Sequence, residues 1–161
     1  MTNLKLMINK NYGSFIVLVV SFIFFRIIYI IKHKKKIILK EELMLLFFII
    51  YLLILANIVT YNINDYNLNN YIPFKEITRY EIDSRLFLKN ILGNILLFIP
   101  IGMFLKNYFK TNLLFTILVA FLYSFGIESI QLLIGRVFDV DDIILNLIGS
   151  IIGYYFSLLT V

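Results

Sequence analysis

The sequence has no cysteine and only one histidine. The absence of cysteine excludes a disulfide framework, a thiolate metal site and a cysteine nucleophile. His33 lies among lysines near the N-terminus, where a solvated loop residue is the simplest interpretation. Hydrolysis by a Ser/His/Asp or Cys/His set is therefore not expected.

Apolar residues dominate the composition. Hydrophobic residues make up 61% of the 161 residues and aromatic residues 17%, and the mean hydropathy is +0.90. These values are far above those of soluble proteins, so we expect an integral membrane protein. A chain this short with several spans has no room for a separate soluble domain, and residues 1–161 are predicted to form a single membrane domain.

Five apolar segments predict an all-α fold, a polytopic membrane bundle of about five transmembrane helices. The third span contains Pro100, which is expected to kink it. A polar loop, 106–112, follows that span, and a short surface helix is expected after Pro73 in the long polar segment 62–89. The predicted spans are residues 14–31, 43–61, 90–105, 113–134 and 139–160.

Loop charge predicts the orientation of these spans. Five lysines fall within the short loop 32–40, and a second basic loop, 106–110, lies on the same side after two more crossings. Because positive loops stay in the cytoplasm, the N-terminus and the connection 135–142 should face outwards, and the C-terminus should be cytoplasmic. Arg26, inside the first span, is expected to snorkel towards the lysine-rich loop. No nucleic-acid partner is expected, since the net charge of +5 is a topology signal.

The last two predicted spans carry polar residues at helical spacing. One ionised side chain at the centre of a spanning helix costs roughly 2.5 to 3.5 kcal/mol, so such residues need partners, water or a function. We expect the polar face of the fourth span to pack against that of the fifth in a short hairpin. Gly149 and Gly153 on the second face allow close approach between helices. The two faces consist of Ser124, Glu128, Gln131 and Gly135, and of Asp139, Asp142, Asn146, Gly149 and Gly153.

These faces predict a polar site between the last two helices. Its predicted members are Glu128, Gln131, Arg136, Asp139, Asp142 and Asn146. A supporting set from the long loop, the third span and the glycine face consists of Pro73, Phe74, Asn90, Asn94, Pro100, Gly149 and Gly153.

Several roles are open for this site. In a binding or structural role, the carboxylates pair with Arg136 and the neighbouring amides, and Asp139 caps the fifth helix. This role requires no cofactor, and it predicts that Asp141→Asn is mild because Asp141 lies off the polar face. In a catalytic role, Glu128 acts as a general acid or base, or a divalent cation, Mg²⁺ or Ca²⁺, binds Asp139, Asp141 and Asp142. Transport is a third possibility, although five spans without an inverted repeat do not favour it.

An ordered set of short motifs resembles the VanZ-like family over about residues 67–157. The resemblance implies a protein of the bacterial cell membrane that changes how teicoplanin and other glycopeptides engage the cell surface. The expected partners are membrane lipid and either a lipoglycopeptide or a lipid-linked cell-wall precursor. In the alternative interpretation, the protein is a metal-dependent enzyme that acts on such a precursor. The motifs are Asn70 to Phe74, Asn90 to Asn94, Phe98 to Gly102, Glu128 to Gln131, and Arg136 to Asp142 with Asn146, Gly149 and Gly153.

Overall fold

The structure, a computed structural model, describes residues 2–60, 69–75, 77–79, 85–133 and 135–159. Five long helices confirm the all-α fold class, and within the described ranges the only strand-like pairing is a parallel bridge between Asn70 and Asp139. The elements are α1 (Thr2–Lys32), α2 (Leu39–Thr60), a 3₁₀ turn (Ile77–Arg79), α3 (Arg85–Phe87), a π-helical turn (Leu88–Leu92), α4 (Gly93–Phe109), α5 (Leu113–Leu133) and α6 (Val140–Leu159).

Two helices are longer than the sequence predicted. α1 begins at Thr2, so the polar segment before the first predicted span is helical. α4 continues to Phe109 and ends where Lys110 adopts a φ of +55°, with its N–H donating to the carbonyl of Leu105. A left-handed residue of this kind stops a helix. The third span was therefore predicted too short, and most of the predicted loop 106–112 is helical.

Three helices in the described part of the chain are long and apolar enough to cross a membrane. They are Leu88–Phe109, Leu113–Leu133 and Val140–Leu159, of 22, 21 and 20 residues. At about 1.5 Å per residue, each is roughly 30 Å long, the thickness of a hydrocarbon core. The first two predicted spans correspond to α1 and α2, and their crossing of the membrane stays a prediction.

The chain divides into two compact units, Met1–Ile54 and Leu55–Val161. In the first unit, Arg26 on α1 binds Glu42 at the start of α2 through two hydrogen bonds, Nε to Oε2 at 2.8 Å and Nη2 to Oε1 at 2.9 Å. Arg26 thus pairs with a carboxylate, whereas the sequence suggested that it snorkels towards lysines. A two-pronged pair is strong and directional, so it fixes the pairing of α1 with α2. The expectation of a single membrane domain stays a prediction.

In the second unit, α6 packs mainly against α4 and less extensively against α5. Gly149 and Gly153 lie directly on the backbone carbonyls of Ile95 and Ile99, which a Cβ at either glycine would overlap. The expectation that these glycines face α5 is therefore wrong. Their close-packing role is as predicted, but the surface that approaches them is the backbone of α4. The helices are close enough for the Ser150 hydroxyl to donate to the carbonyl of Phe98, at 3.4 Å.

Candidate functional site

The loop residues from Asn69 to Lys75 are attached to the start of α6. The N–H of Asn70 donates to the carbonyl of Phe138 at 2.8 Å, and the N–H of Val140 donates to the carbonyl of Asn70 at 3.0 Å. The Asn70 side chain donates from Nδ2 to Oδ1 of Asp139 at 2.8 Å. Backbone and side chain of one asparagine therefore hold two segments that are about seventy residues apart in sequence.

Asp141 holds the rest of this loop. Its carboxylate is only 1% exposed and accepts the N–H of Phe74 at 2.5 Å and the N–H of Ile77 at 3.3 Å, one on each oxygen. The Asn70 amide also donates to it, at 3.4 Å. We call Asn70, Asp141 and the N–H groups of Phe74 and Ile77 the loop clamp. The packing role predicted a mild effect of Asp141→Asn because Asp141 lies off the polar face of its own helix. The structure shows that its side chain bonds a loop outside that helix, which a helical wheel does not represent.

The turn at Pro73 explains why the clamp is needed. The N–H of Lys75 donates to the carbonyl of Ile72 at 3.4 Å, and Phe74 has a φ of +67°. Proline followed by a residue with positive φ is the pattern of a type II turn, which favours glycine or asparagine at the second position. Phe74 adopts this conformation at a cost, and the bond from its N–H to a buried carboxylate offsets it. Where a short helix was expected after Pro73, the described residues contain a 3₁₀ turn, Ile77–Arg79, and the rest of that expectation lies outside the described residues.

Asp139 caps α6, as the sequence predicted. Its Oδ1 accepts the N–H of Asp141 at 2.8 Å, and α6 begins at the intervening Val140. The N–H of Asp139 in turn donates to Oε2 of Glu128 at 2.9 Å. Glu128 therefore ties the last turns of α5 to the first residue before α6, while its own side chain is 1% exposed.

A second group of polar side chains lies deeper between the helices. Asn146 on α6 donates from Nδ2 to the Ser124 hydroxyl on α5 at 2.8 Å, and both side chains are buried. Asn94 on α4 donates from Nδ2 to Oδ1 of Asp142 at 2.5 Å. Asp142 is also close enough to Glu128 to interact with it electrostatically. We call Ser124, Glu128, Gln131, Asp142 and Asn146 the polar cluster.

The cluster is closed at one end and half-open at the other. Ser124, Glu128 and Asn146 are at most 4% exposed, whereas Asp142 is half-buried. The half-buried side chains of Arg136 and Asp139 stand beside Asp142 at the end of α6 where the chain enters from α5. This half-open end carries both signs of charge.

The structure brings most of the predicted site residues together, with different partners. Glu128, Asp139, Asp142 and Asn146 surround the junction of α5 and α6, and Gln131 is buried on the same face of α5. Glu128 accepts a backbone N–H, Asp142 accepts the amide of Asn94 on α4, and Asn146 donates to a serine. The whole set acting as a functional site stays a prediction.

The supporting residues fall into separate places. Asn94 contacts the cluster, whereas Pro73 and Phe74 belong to the loop clamp and are exposed. Asn90 lies half-buried in the π-helical turn, a feature that is frequent at functional sites. Pro100 lies inside α4, nearer the glycine contacts than the cluster.

Two residues with central roles were not among the predicted site residues. Asn70 stood in a quoted motif without a role, although an asparagine two residues before a turn often bonds the backbone, as its Oδ1 does to the N–H of Ile72 at 3.1 Å. Ser124 stood on the polar face of the fourth span but was left out of the site. Its spacing from Glu128 was the signal that could have placed it there.

Metal binding gains no support from this arrangement. In the described ranges, no group of three or more His, Cys, Asp or Glu side chains could hold a metal ion. Oxygens of Asp139, Asp141 and Asp142 already accept N–H donors of the protein. The geometry is that of a hydrogen-bonded scaffold with a polar interior.

Fold and site together define a multi-pass helical membrane protein with a polar cluster between its last helices. The family model described as VanZ/LLP1 matches residues 13–160, and the chain belongs to this family. The match confirms the resemblance drawn from the motifs and extends it to the first helix, for which no motif was found. No curated protein and no solved structure matches the chain.

Proposed function

We propose that this VanZ/LLP1 protein acts at the outer face of the bacterial cytoplasmic membrane and reduces the engagement of glycopeptide antibiotics such as teicoplanin with the cell surface. Family membership supports the connection to glycopeptide resistance. The polar cluster is the surface through which the protein would act. A binding role suits it better than catalysis, because its polar groups are held by hydrogen bonds and no metal-binding group accompanies them in the described residues.

The observation that carries the proposal is the half-open end of the cluster. It lies at the junction of α5 and α6, whereas two basic residues, Lys106 in the last turn of α4 and Lys110 directly after α4, lie near the opposite end of α5. If these basic residues are on the cytoplasmic side, the half-open end faces outwards. There it would meet lipid headgroups, cell-wall precursors and antibiotics in the same layer.

The proposal is tested in a susceptible Gram-positive host that expresses the wild-type chain or the Glu128→Gln/Asp142→Asn double variant. Wild type should lower teicoplanin sensitivity and the binding of fluorescent teicoplanin to intact cells, and the double variant should not. Glu41→Gln is the matched control, since it removes one carboxylate at an exposed position. Membrane levels of all three chains are compared by immunoblot.

Equal sensitivity of cells with and without the wild-type chain would overturn the proposed role in resistance. Equal protection by the wild type and the double variant would support a role in resistance but show that the polar cluster is not required for it.

A further inference from the structure

Negative charge exceeds positive charge around the polar cluster. The ionisable groups that act electrostatically on Asp142 are three carboxylates, those of Glu128, Asp139 and Asp141, and one guanidinium, that of Arg136. Among the described residues, four carboxylates and one guanidinium thus lie close to one another at Asp142. Concentrating negative charge in a poorly hydrated place is costly unless a proton or a cationic ligand offsets it.

Hydrogen bonds within the protein use only part of this acceptor capacity. An ionised carboxylate can accept about four hydrogen bonds. Within the described residues, Asp141 accepts at least three donors, whereas Glu128 accepts the N–H of Asp139 and Asp142 accepts the amide of Asn94. The acceptors that remain are concentrated on Glu128 and Asp142.

Asn146 adds an independent sign of a ligand. Its side chain is 4% exposed, and its Oδ1 has no hydrogen-bond partner within the described residues. Side chains in an α-helix tilt towards the helix N-terminus, so Asn146 is directed at the turn that carries Asp142. A buried acceptor of this kind destabilises the folded protein when it is left unpaired.

The helix register places these three acceptors around one point. Ser124 and Asn146 contact each other across antiparallel neighbours, at 2.8 Å. Glu128 and Asp142 each lie one helical turn nearer the connection, so they face each other one level above that contact. The three acceptors therefore lie within about one helical turn of one another, between the Ser124 contact and the half-open end beside Asp142.

From this charge and geometry we infer that the polar cluster binds a primary ammonium group, with Glu128, Asp142 and Asn146 as its three acceptors. A primary ammonium has three N–H donors and one positive charge, which matches three acceptors and an excess of carboxylates. A quaternary ammonium has the charge but no N–H donor. The inference deepens the function proposed for this site by naming the ligand chemistry. The ammonium could belong to a lipid headgroup or to an amine in the aqueous phase.

The test uses the purified full-length chain in detergent and follows its thermal unfolding with added ethanolamine, choline or N-acetylethanolamine. Ethanolamine should raise the unfolding temperature, because a ligand that binds the folded state stabilises it. Choline tests charge without N–H donors, and N-acetylethanolamine tests the same skeleton without charge. Equal stabilisation by ethanolamine and choline would overturn the inference.

A second experiment distinguishes the two possible sources of the ammonium group, a lipid headgroup and an amine in the aqueous phase. Nanodiscs that contain phosphatidylethanolamine are compared with nanodiscs in which phosphatidylcholine replaces it, at the same content of anionic lipid. Greater stability in phosphatidylethanolamine supports a headgroup as the source, and stabilisation by soluble ethanolamine alone supports an aqueous amine. If neither soluble ethanolamine nor phosphatidylethanolamine stabilises the protein, the cluster does not bind an ammonium group.

Variants then test the acceptors. Glu128→Gln and Asn146→Leu should each weaken ethanolamine binding by about tenfold or more, since each removes a charge-assisted or buried hydrogen bond. Glu41→Gln should bind like wild type, and unchanged binding by both cluster variants would refute the assignment of the site. If neither variant folds, the comparison of ethanolamine with choline on wild type still decides the inference. A chain that lowers teicoplanin sensitivity without discriminating between these amines would refute this inference alone and leave the proposed function standing.

Discussion

Replacing Asp141 by asparagine tests whether one buried carboxylate holds the long loop on α6. The two oxygens of Asp141 accept different backbone donors, the N–H of Phe74 and the N–H of Ile77. Asparagine has nearly the same shape, but one of its terminal atoms is an NH₂ donor. In Asp141→Asn, one of the two loop N–H groups must therefore face another donor.

The size of the effect follows from these bonds. A hydrogen bond to a charged group contributes about 1.5–3 kcal/mol, and a buried donor without a partner costs about 1–3 kcal/mol. The loop can relieve part of this cost by moving its N–H groups into water. We therefore expect the free energy of opening the loop to fall by about 2–3 kcal/mol, which corresponds to a change of about 30- to 150-fold in the opening equilibrium.

Hydrogen–deuterium exchange in detergent micelles measures this opening. The amides of Phe74 and Ile77 should exchange faster in Asp141→Asn by about the factor above, because exchange follows the local opening equilibrium. Asp142→Asn is the matched control, since its side chain bonds Asn94 rather than the loop. Wild-type exchange at both loop amides in Asp141→Asn would refute the clamp. Faster exchange along the whole of α5 and α6 would show instead that the helix pair had come apart.

Two further substitutions test the packing of each unit. Gly149→Ala should lower the free energy of unfolding by about 1–3 kcal/mol, because its Cβ would overlap the carbonyl of Ile95 and force α4 away. Gly126→Ala is its control, since nothing lies within 4 Å of a Cβ there; thermal unfolding should show it equal to wild type or more stable. In the first unit, a double-mutant cycle of Arg26→Gln and Glu42→Gln should give a coupling of at least about 1 kcal/mol, because the pair is two-pronged and less than a third exposed. Additive losses in that cycle would mean that the pair does not stabilise the helices.

Features set by neighbouring residues could be predicted from the sequence. Length and apolar composition were enough for the three helices that can span a membrane, and the spacing of Asp139 from Asp141 was enough for the helix cap. Helical periodicity also placed Glu128, Asp142 and Asn146 on inward faces. Each of these properties depends on residues within one or two turns, so no knowledge of the remaining chain was required.

The choice of partners between distant segments could not be predicted in this way. Periodicity showed that Gly149 and Gly153 form one face, but either neighbouring helix could have filled it. The helical wheel placed Asp141 off the polar face because it represents a single helix and omits the loop 67 residues earlier in the chain. These errors share one cause. A helix face with a regular pattern indicates that another segment packs against it, but which segment does so depends on contacts across the whole unit.

The two halves of α6 pack in different ways. Its C-terminal half presents Gly149 and Gly153 to the backbone of α4, where there is no space for another atom. Its N-terminal half presents Asp142 and Asn146, whose polar atoms bond both α4 and α5. Because the tight half fixes the spacing of the helices, the polar half can keep acceptors that its neighbours do not fully satisfy. A ligand would then gain those unused bonds without rearranging the helices, which is the condition under which a buried polar cluster favours binding as well as stability.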